Sequence, residues 1–302
     1  MSKVYSTFGL ISGCLFTCLL FLSSTTEEDP HDSSSTANHL PQSIQSAIED
    51  KSYSWAGEVM PNTDDCKERL DRELSVNAYW QSNTLLNIKK SNRYFPLMDR
   101  VLAEEGVPLD FKYLAVAESD LRNVSSHANA KGFWQFRKLA AKEMGLEVND
   151  EVDERYHVEK ATRAAAKYLK KLRNRFGSWT NAAAAYNVGP TNFSSLRKKQ
   201  GAFSFYDMNI NIETSRYLFR LMAIKEIMTA PHKFGFYVEP HQLYPPHDNY
   251  HEVTVDKSVP SWTKFAEQYG VSYRELKVYN PWLIDSKLTV MKNTYIIKVP
   301  KK

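Results

Sequence analysis

Phe111-Lys112-Tyr113-Leu114-Ala115-Val116-Ala117-Glu118-Ser119 is a helical pattern that ends on a carboxylate. Pro108 suits the first turn of such a helix, where a missing N–H costs nothing, and Phe111, Leu114, Ala115 and Glu118 then recur at helical spacing. Glu118 thus shares a face with apolar side chains. A carboxylate on a core-facing stripe loses hydration, and close to a helix C-terminus the negative end of the macrodipole also disfavours its charge. Both effects raise its pKa toward the range of a general acid working near neutral pH. Read alone, the same glutamate could equally cap or salt-bridge a helix end.

The residues that follow narrow the choice. Ser126 comes next, then Gly132-Phe133-Trp134-Gln135-Phe136, then Ala-rich helical sequence ending in Ala185-Tyr186-Asn187-Val188-Gly189-Pro190, then Glu213-Thr214-Ser215-Arg216-Tyr217. In this order and spacing they resemble the lysozyme-like lytic transglycosylases, particularly the membrane-bound type D group, whose members carry C-terminal LysM modules. The resemblance spans roughly Arg69 to Pro300. It implies a mainly α protein: a lysozyme-like helical catalytic domain followed by a small α+β module of βααβ order. It further implies non-hydrolytic cleavage of the β-1,4 bond between N-acetylmuramic acid and N-acetylglucosamine in peptidoglycan, leaving 1,6-anhydromuramyl ends. Glu118 would be the acid and then the base, with Ser126, Gln135, Tyr186, Asn187 and Tyr217 holding the sugar.

Each of these residues also has a plainer reading. Ser126 matches the family serine but serves equally well as a turn hydroxyl. Gln135 offers donor and acceptor on one planar amide, which suits acetamido and hydroxyl groups. Trp134, where the family more often has Met, packs as floor or core and resembles the type D variant. Asn187 reads as a helix C-cap and Tyr186 as packing, or both as a cleft wall. Tyr217 lies ahead of Leu218, Leu221 and Met222 on a further helix and would complete the cleft. Asp120 would point to another helical face if its helix continued, so no second carboxylate stands in a matching motif. A hydrolytic muramidase on the same fold and a non-catalytic wall-binding protein are the two rival readings.

A chain of 302 residues with 42% hydrophobic content can bury one sizeable core plus a small module. Its formal charge of +4 is compatible with an acidic wall polymer and argues for no nucleic-acid partner. Nothing in the sequence sets an oligomeric state. Lys3 and the apolar run Phe8 to Leu22, followed by Ser23-Ser24, have the dimensions of a signal peptide or N-terminal anchor over residues 1–24. Ile11-Ser12-Gly13-Cys14 also resembles a lipobox that would place a lipid on Cys14; the two readings stand side by side. Either one implies export to the bacterial periplasm or cell envelope, with membrane attachment through the N-terminus.

Residues 25–65 read as a polar tether, 66–235 as the lysozyme-like domain with an N-terminal helical extension, 236–250 as a Pro- and His-containing linker, and 251–302 as the LysM-like module. In the extension Leu70, Leu74, Leu85 and Leu86 read as core stripes. Once a leader is removed Cys66 is the only cysteine, and no Cys/His cluster has metal-ligand spacing, so no metal or other cofactor is expected. His127 reads as a loop residue. In the last module Trp262, Phe265, Ala266 and Tyr269 mark one short helix, Ser272-x-x-Glu275 is a capping box opening another, and Tyr295, Ile297 and Val299 alternate as a strand. The Gly-Asp that usually precedes the first LysM helix is Val259-Pro260 here, with Ser261 in the Thr position. That substitution leaves both a glycan-binding and a purely structural module open.

Overall fold

The computed structural model describes residue 48 and residues 51–301. The expected signal or anchor over 1–24, the lipobox cysteine Cys14 and most of the 25–65 tether lie outside the described residues. Among those described, no helix is long and apolar enough to cross a membrane.

A two-stranded hairpin, β1 (Ser54–Trp55) and β2 (Glu58–Val59), comes first. Its turn places Ala56 and Gly57 at positive φ, and Asp110 accepts a 2.8 Å bond from the Ala56 N–H. Trp55 is fully buried and meets the Phe111 ring edge-on at 5.3 Å. The end of the span read as tether therefore belongs to the folded body, anchored there by an indole removed from water.

Two long helices follow, α1 (Asp64–Tyr79) and α2 (Gln81–Glu104). Thr63 caps the first by accepting from the Cys66 N–H. Leu70 and Leu74 are buried as expected, whereas Leu86 faces solvent. The helical spacing of Leu85 and Leu86 allowed only one of the adjacent pair to point inward.

A single 3₁₀ turn (Leu109–Phe111) leads into α3 (Lys112–Ser119), and together they carry Phe111, Leu114 and Ala115 into the core with no exposure. After an irregular excursion comes the short α4 (Lys138–Glu143). The next long helix, α5 (Val158–Phe176), is preceded by a separate 3₁₀ turn over Glu154–Tyr156. Gly177, at φ 87°, ends α5 in the left-handed conformation that glycine takes without a Cβ penalty. Helices α6 (Trp179–Val188), α7 (Pro190–Gln200) and α8 (Ile212–Thr229) complete the domain. Ala182 to Ala185 are fully buried, which lets α6 sit at the centre of the bundle against its neighbours.

The segment read as a linker includes a 3₁₀ turn (Pro240–Gln242) and is fastened to the helical domain. The Tyr244 N–H donates to Lys89 O, and Asn92 and Arg93 of α2 donate to the carbonyls of Tyr244 and Pro245. Beyond it, β3 (Tyr250–Val255) and β4 (Tyr295–Pro300) pair antiparallel with Val253 opposite Ile297, enclosing α9 (Trp262–Gln268) and α10 (Tyr273–Tyr279). This is the βααβ order expected, and the Ser272–Glu275 capping box is present. Buried Asn280 ties the end of α10 to β4, donating to Leu276 O and Lys298 O while accepting from the Lys298 N–H.

The module is docked on the helical domain. Val152 pairs with Leu283 in an antiparallel bridge and packs within the module's own core, Glu151 accepts from the N–H and hydroxyl of Thr289, and the Tyr295 hydroxyl donates to Glu147.

Candidate active site

Helix α3 stops one residue after Glu118. Asp120 takes the left-handed conformation (φ 53°, ψ 39°), Leu121 follows at φ 50°, and the chain leaves the helix axis. Two successive left-handed non-glycine residues carry strain that the surroundings must hold. Here they do: Asn83 and Asn87 donate to one Asp120 carboxylate oxygen at 2.8 and 3.1 Å, Arg122 donates to the other, and Lys90 donates to the Asp120 carbonyl. Asp120 is thus a helix stop facing α2. Ser119 secures the other side, donating to Ala115 O and Phe133 O.

With the helix ended there, Glu118 stands in the last turn with its carboxyl surrounded by protein. Burial pushes its pKa up from the ordinary carboxylate value to about 7, opposed by a hydrogen bond from Tyr217 and by the positive charge of Arg220. The Tyr217 hydroxyl, on α8, donates to Glu118 Oε1 at 2.6 Å. Tyr217 is itself buried and its phenol is held well above its usual pKa, first by burial, so it remains a donor at neutral pH. Arg220, one turn along α8, shares the fully buried Glu73 with Arg216, at 3.6 and 2.5 Å.

Tyr186 approaches from α6. Its hydroxyl donates to Trp134 O at 2.5 Å, and burial followed by the neighbouring Glu118 charge raises its pKa. The residue therefore does both things the sequence left open: it packs against Phe136 and Tyr168 and it stands beside the acid. Trp134 is core, fully buried, its indole N–H bonded to Thr162.

The loop from Ser119 to Phe136 is built around a close approach. Gly132, at φ 79°, lies so near the Arg155 carbonyl that a Cβ would come within 1.9 Å of that oxygen. Gln135, also at positive φ, donates through its amide nitrogen to Gly132 O and Val124 O, which leaves its carbonyl oxygen as the acceptor for a ligand. Ser126 is exposed. Its Oγ accepts from the Ala130 N–H, and its hydroxyl proton is committed to no partner among the described residues. Asn187 is half-buried on the last turn of α6, but Gly189 is the cap there, so the capping role does not apply. Glu118, Tyr217, Tyr186 and, through Trp134, Gln135 come together; Ser126 and Asn187 make no hydrogen bond to that group. His127 is exposed in the loop.

Two residues that hold the site were not singled out from sequence. Arg155 is buried, paired with Asp153 at 2.7 Å and donating to the carbonyls of Asn129 and Phe136, so it clamps the second half of the loop. Arg220 sets the charge near Glu118. The Asp153-x-Arg155 pair was visible, but its role appears only once the 3₁₀ turn brings the two side chains together. Among the described residues no group of three or more His, Cys, Asp or Glu could hold a metal ion.

A desolvated acid on a short helix, buttressed by tyrosines from two other helices in a mainly α bundle, has the form of a lysozyme-like glycan-cleaving site. Residues 102–209 match the family model of the transglycosylase SLT domain, and residues 251–302 match that of the soluble lytic transglycosylase C-terminal LysM-like domain. The chain thus carries the two domains of the lysozyme-like lytic transglycosylases with a LysM-like module, a family that acts on peptidoglycan. A search of curated proteins found no significant match.

Proposed function

We propose that the chain cleaves the MurNAc-β-1,4-GlcNAc bond without water, with Glu118 as both acid and base. The observation that carries this reading is the Glu118–Tyr217 pair: an acid with a pKa of about 7 can give a proton at neutral pH and take one back. Protonated Glu118 donates to the glycosidic oxygen as the bond from C1 of the muramic acid breaks. The sugar's own acetamido oxygen stabilises the cationic C1. Ionised Glu118 then accepts the C6 hydroxyl proton as O6 bonds to C1. One C–O bond breaks, one forms, and the proton count of Glu118 is restored. A second carboxylate to activate water is the part a hydrolase would need. Asp120, the nearest in sequence, is occupied by Asn83, Asn87 and Arg122.

In this scheme the Gln135 carbonyl oxygen, the Ser126 hydroxyl and Asn187 position the sugar, and Tyr217 holds the carboxyl. Much of the rate would come from making both steps intramolecular. Gly132-Phe133-Trp134-Gln135 supports the type D likeness, and the apolar run over 8–22 supports action in the envelope after export.

The deciding experiment is digestion of purified peptidoglycan by the full chain and by Glu118→Gln, with released muropeptides separated and weighed. Products one water lighter than muramidase products, absent with the variant, are expected. Full-mass reducing ends would make the enzyme a hydrolase, and strand binding without release would make it a wall-binding protein.

A further inference from the structure

A cavity of about 580 Å³ opens where the helical domain, the fastened segment and the LysM-like module meet. Its size is that of a small-ligand site rather than a packing defect. One wall comes from the loop that also carries Ser126 and Gln135, through Asn123 and Phe133; the facing wall comes from Tyr250, Tyr279, Trp282 and Lys298 of the module.

The chemistry of the walls is mixed in a particular way. Tyr279 stacks on His247 at 5.1 Å and 27°, with Tyr250 edge-on to it, so an aromatic surface is set in place by its neighbours. Arg93 and Lys298 are matched by Asp248 and Glu159, so the lining has no excess of one charge. His157, whose ring lies 5.7 Å from that of Trp282, accepts the Lys160 N–H on Nδ1, which assigns the proton of the neutral ring to Nε2. Burial keeps that ring neutral, its pKa lowered to about 4. The residue lines the cavity.

An uncharged, amphipathic ligand with apolar faces and a rim of donors and acceptors fits such walls. We propose that the cavity is a second saccharide subsite that takes an N-acetylated amino sugar of a glycan strand, held jointly by the two modules. The inference rests on the glycan-cleaving reading of the Glu118 site. The module's loop over residues 283–289 is engaged with residues 151–153 of the helical domain, which holds the two walls of the cavity together.

The test uses the full chain carrying Glu118→Gln, so that nothing is turned over, titrated with tetra-N-acetylchitotetraose and followed by NMR of the His157 and His247 rings and the Gln135 side-chain amide. Saturable shifts of the two histidines are expected, with affinity falling about tenfold or more in Tyr279→Ala and in Lys298→Ala, while the Gln135 response persists. Shifts at Gln135 alone would overturn the inference and leave the catalytic reading standing. A histidine response to a free stem peptide but not to the saccharide would also overturn it. The catalytic reading fails separately, by the muropeptide assay, if the unaltered chain releases nothing.

Discussion

The Tyr217 hydroxyl donates to Glu118 Oε1 across 2.6 Å, joining residues 99 positions apart in the chain. The bond has a direct consequence for pH dependence. It stabilises the carboxylate, so it works against the burial that raises the Glu118 pKa. Tyr217→Phe should move that pKa further up and carry the alkaline limb of kcat/KM to higher pH, because the first step requires protonated Glu118. A hydrogen bond to a charged group contributes about 1.5–3 kcal/mol, so the donation of the proton, the step in which the carboxylate forms, should slow by about ten- to a hundredfold. Rate profiles of the two proteins between pH 5 and 9 read both effects; an unmoved limb would separate Tyr217 from the chemistry.

Burial of Glu118 also links stability to pH. Its folded pKa of about 7 exceeds the unfolded value of about 4.5, so between the two the native state binds more protons and stability falls as pH rises. The stabilisation is full below the unfolded value and gone above about pH 7. A shift of this size corresponds to something on the order of 3 kcal/mol. Glu118→Gln has no charge to desolvate, so it should melt higher than the unaltered protein at pH 8 and show a difference near zero at pH 4. Thermal melts at the two pH values check this, and equal melting points at pH 8 would contradict the raised pKa.

Asp120 is the carboxylate closest in sequence to the acid, and its partners make it a helix stop. Asparagine tolerates the left-handed conformation and keeps an oxygen for Asn83 and Asn87. Asp120→Asn should therefore retain activity within about tenfold, in line with a structural role. A loss as deep as that of Glu118→Gln would identify Asp120 as a second catalytic carboxylate.

Gly132→Ala tests the loop itself. The new methyl would meet the Arg155 carbonyl at 1.9 Å in a backbone conformation at φ 79° that alanine disfavours. Destabilisation on the order of 3 kcal/mol is expected from overpacking together with strain. Denaturant unfolding measures it. Activity should fall further than stability accounts for, because the Gly132 carbonyl is the nearer acceptor of the Gln135 amide.

Local chemistry was legible in the chain. The spacing of Phe111, Leu114 and Ala115 and the Ser272–Glu275 box each depend on residues within a few positions of one another, where periodicity and capping have short-range causes. The desolvation of Glu118 was legible too, because a glutamate on an apolar helical stripe is already a carboxylate about to lose its water. What the chain alone left open all depends on long-range packing. Leu86 faces outward because α2 has one buried side. Asp120 turns back to α2 because three partners from other positions hold a left-handed residue. Tyr217 reaches Glu118, Arg155 clamps the loop, and the LysM-like module docks on Glu147, Glu151 and Val152, because folding brings distant side chains within hydrogen-bonding range. A hydrogen bond between residues far apart in sequence has no periodic signature: neither partner's neighbours change with its existence, and only the assembled bundle selects which of many possible pairs is made.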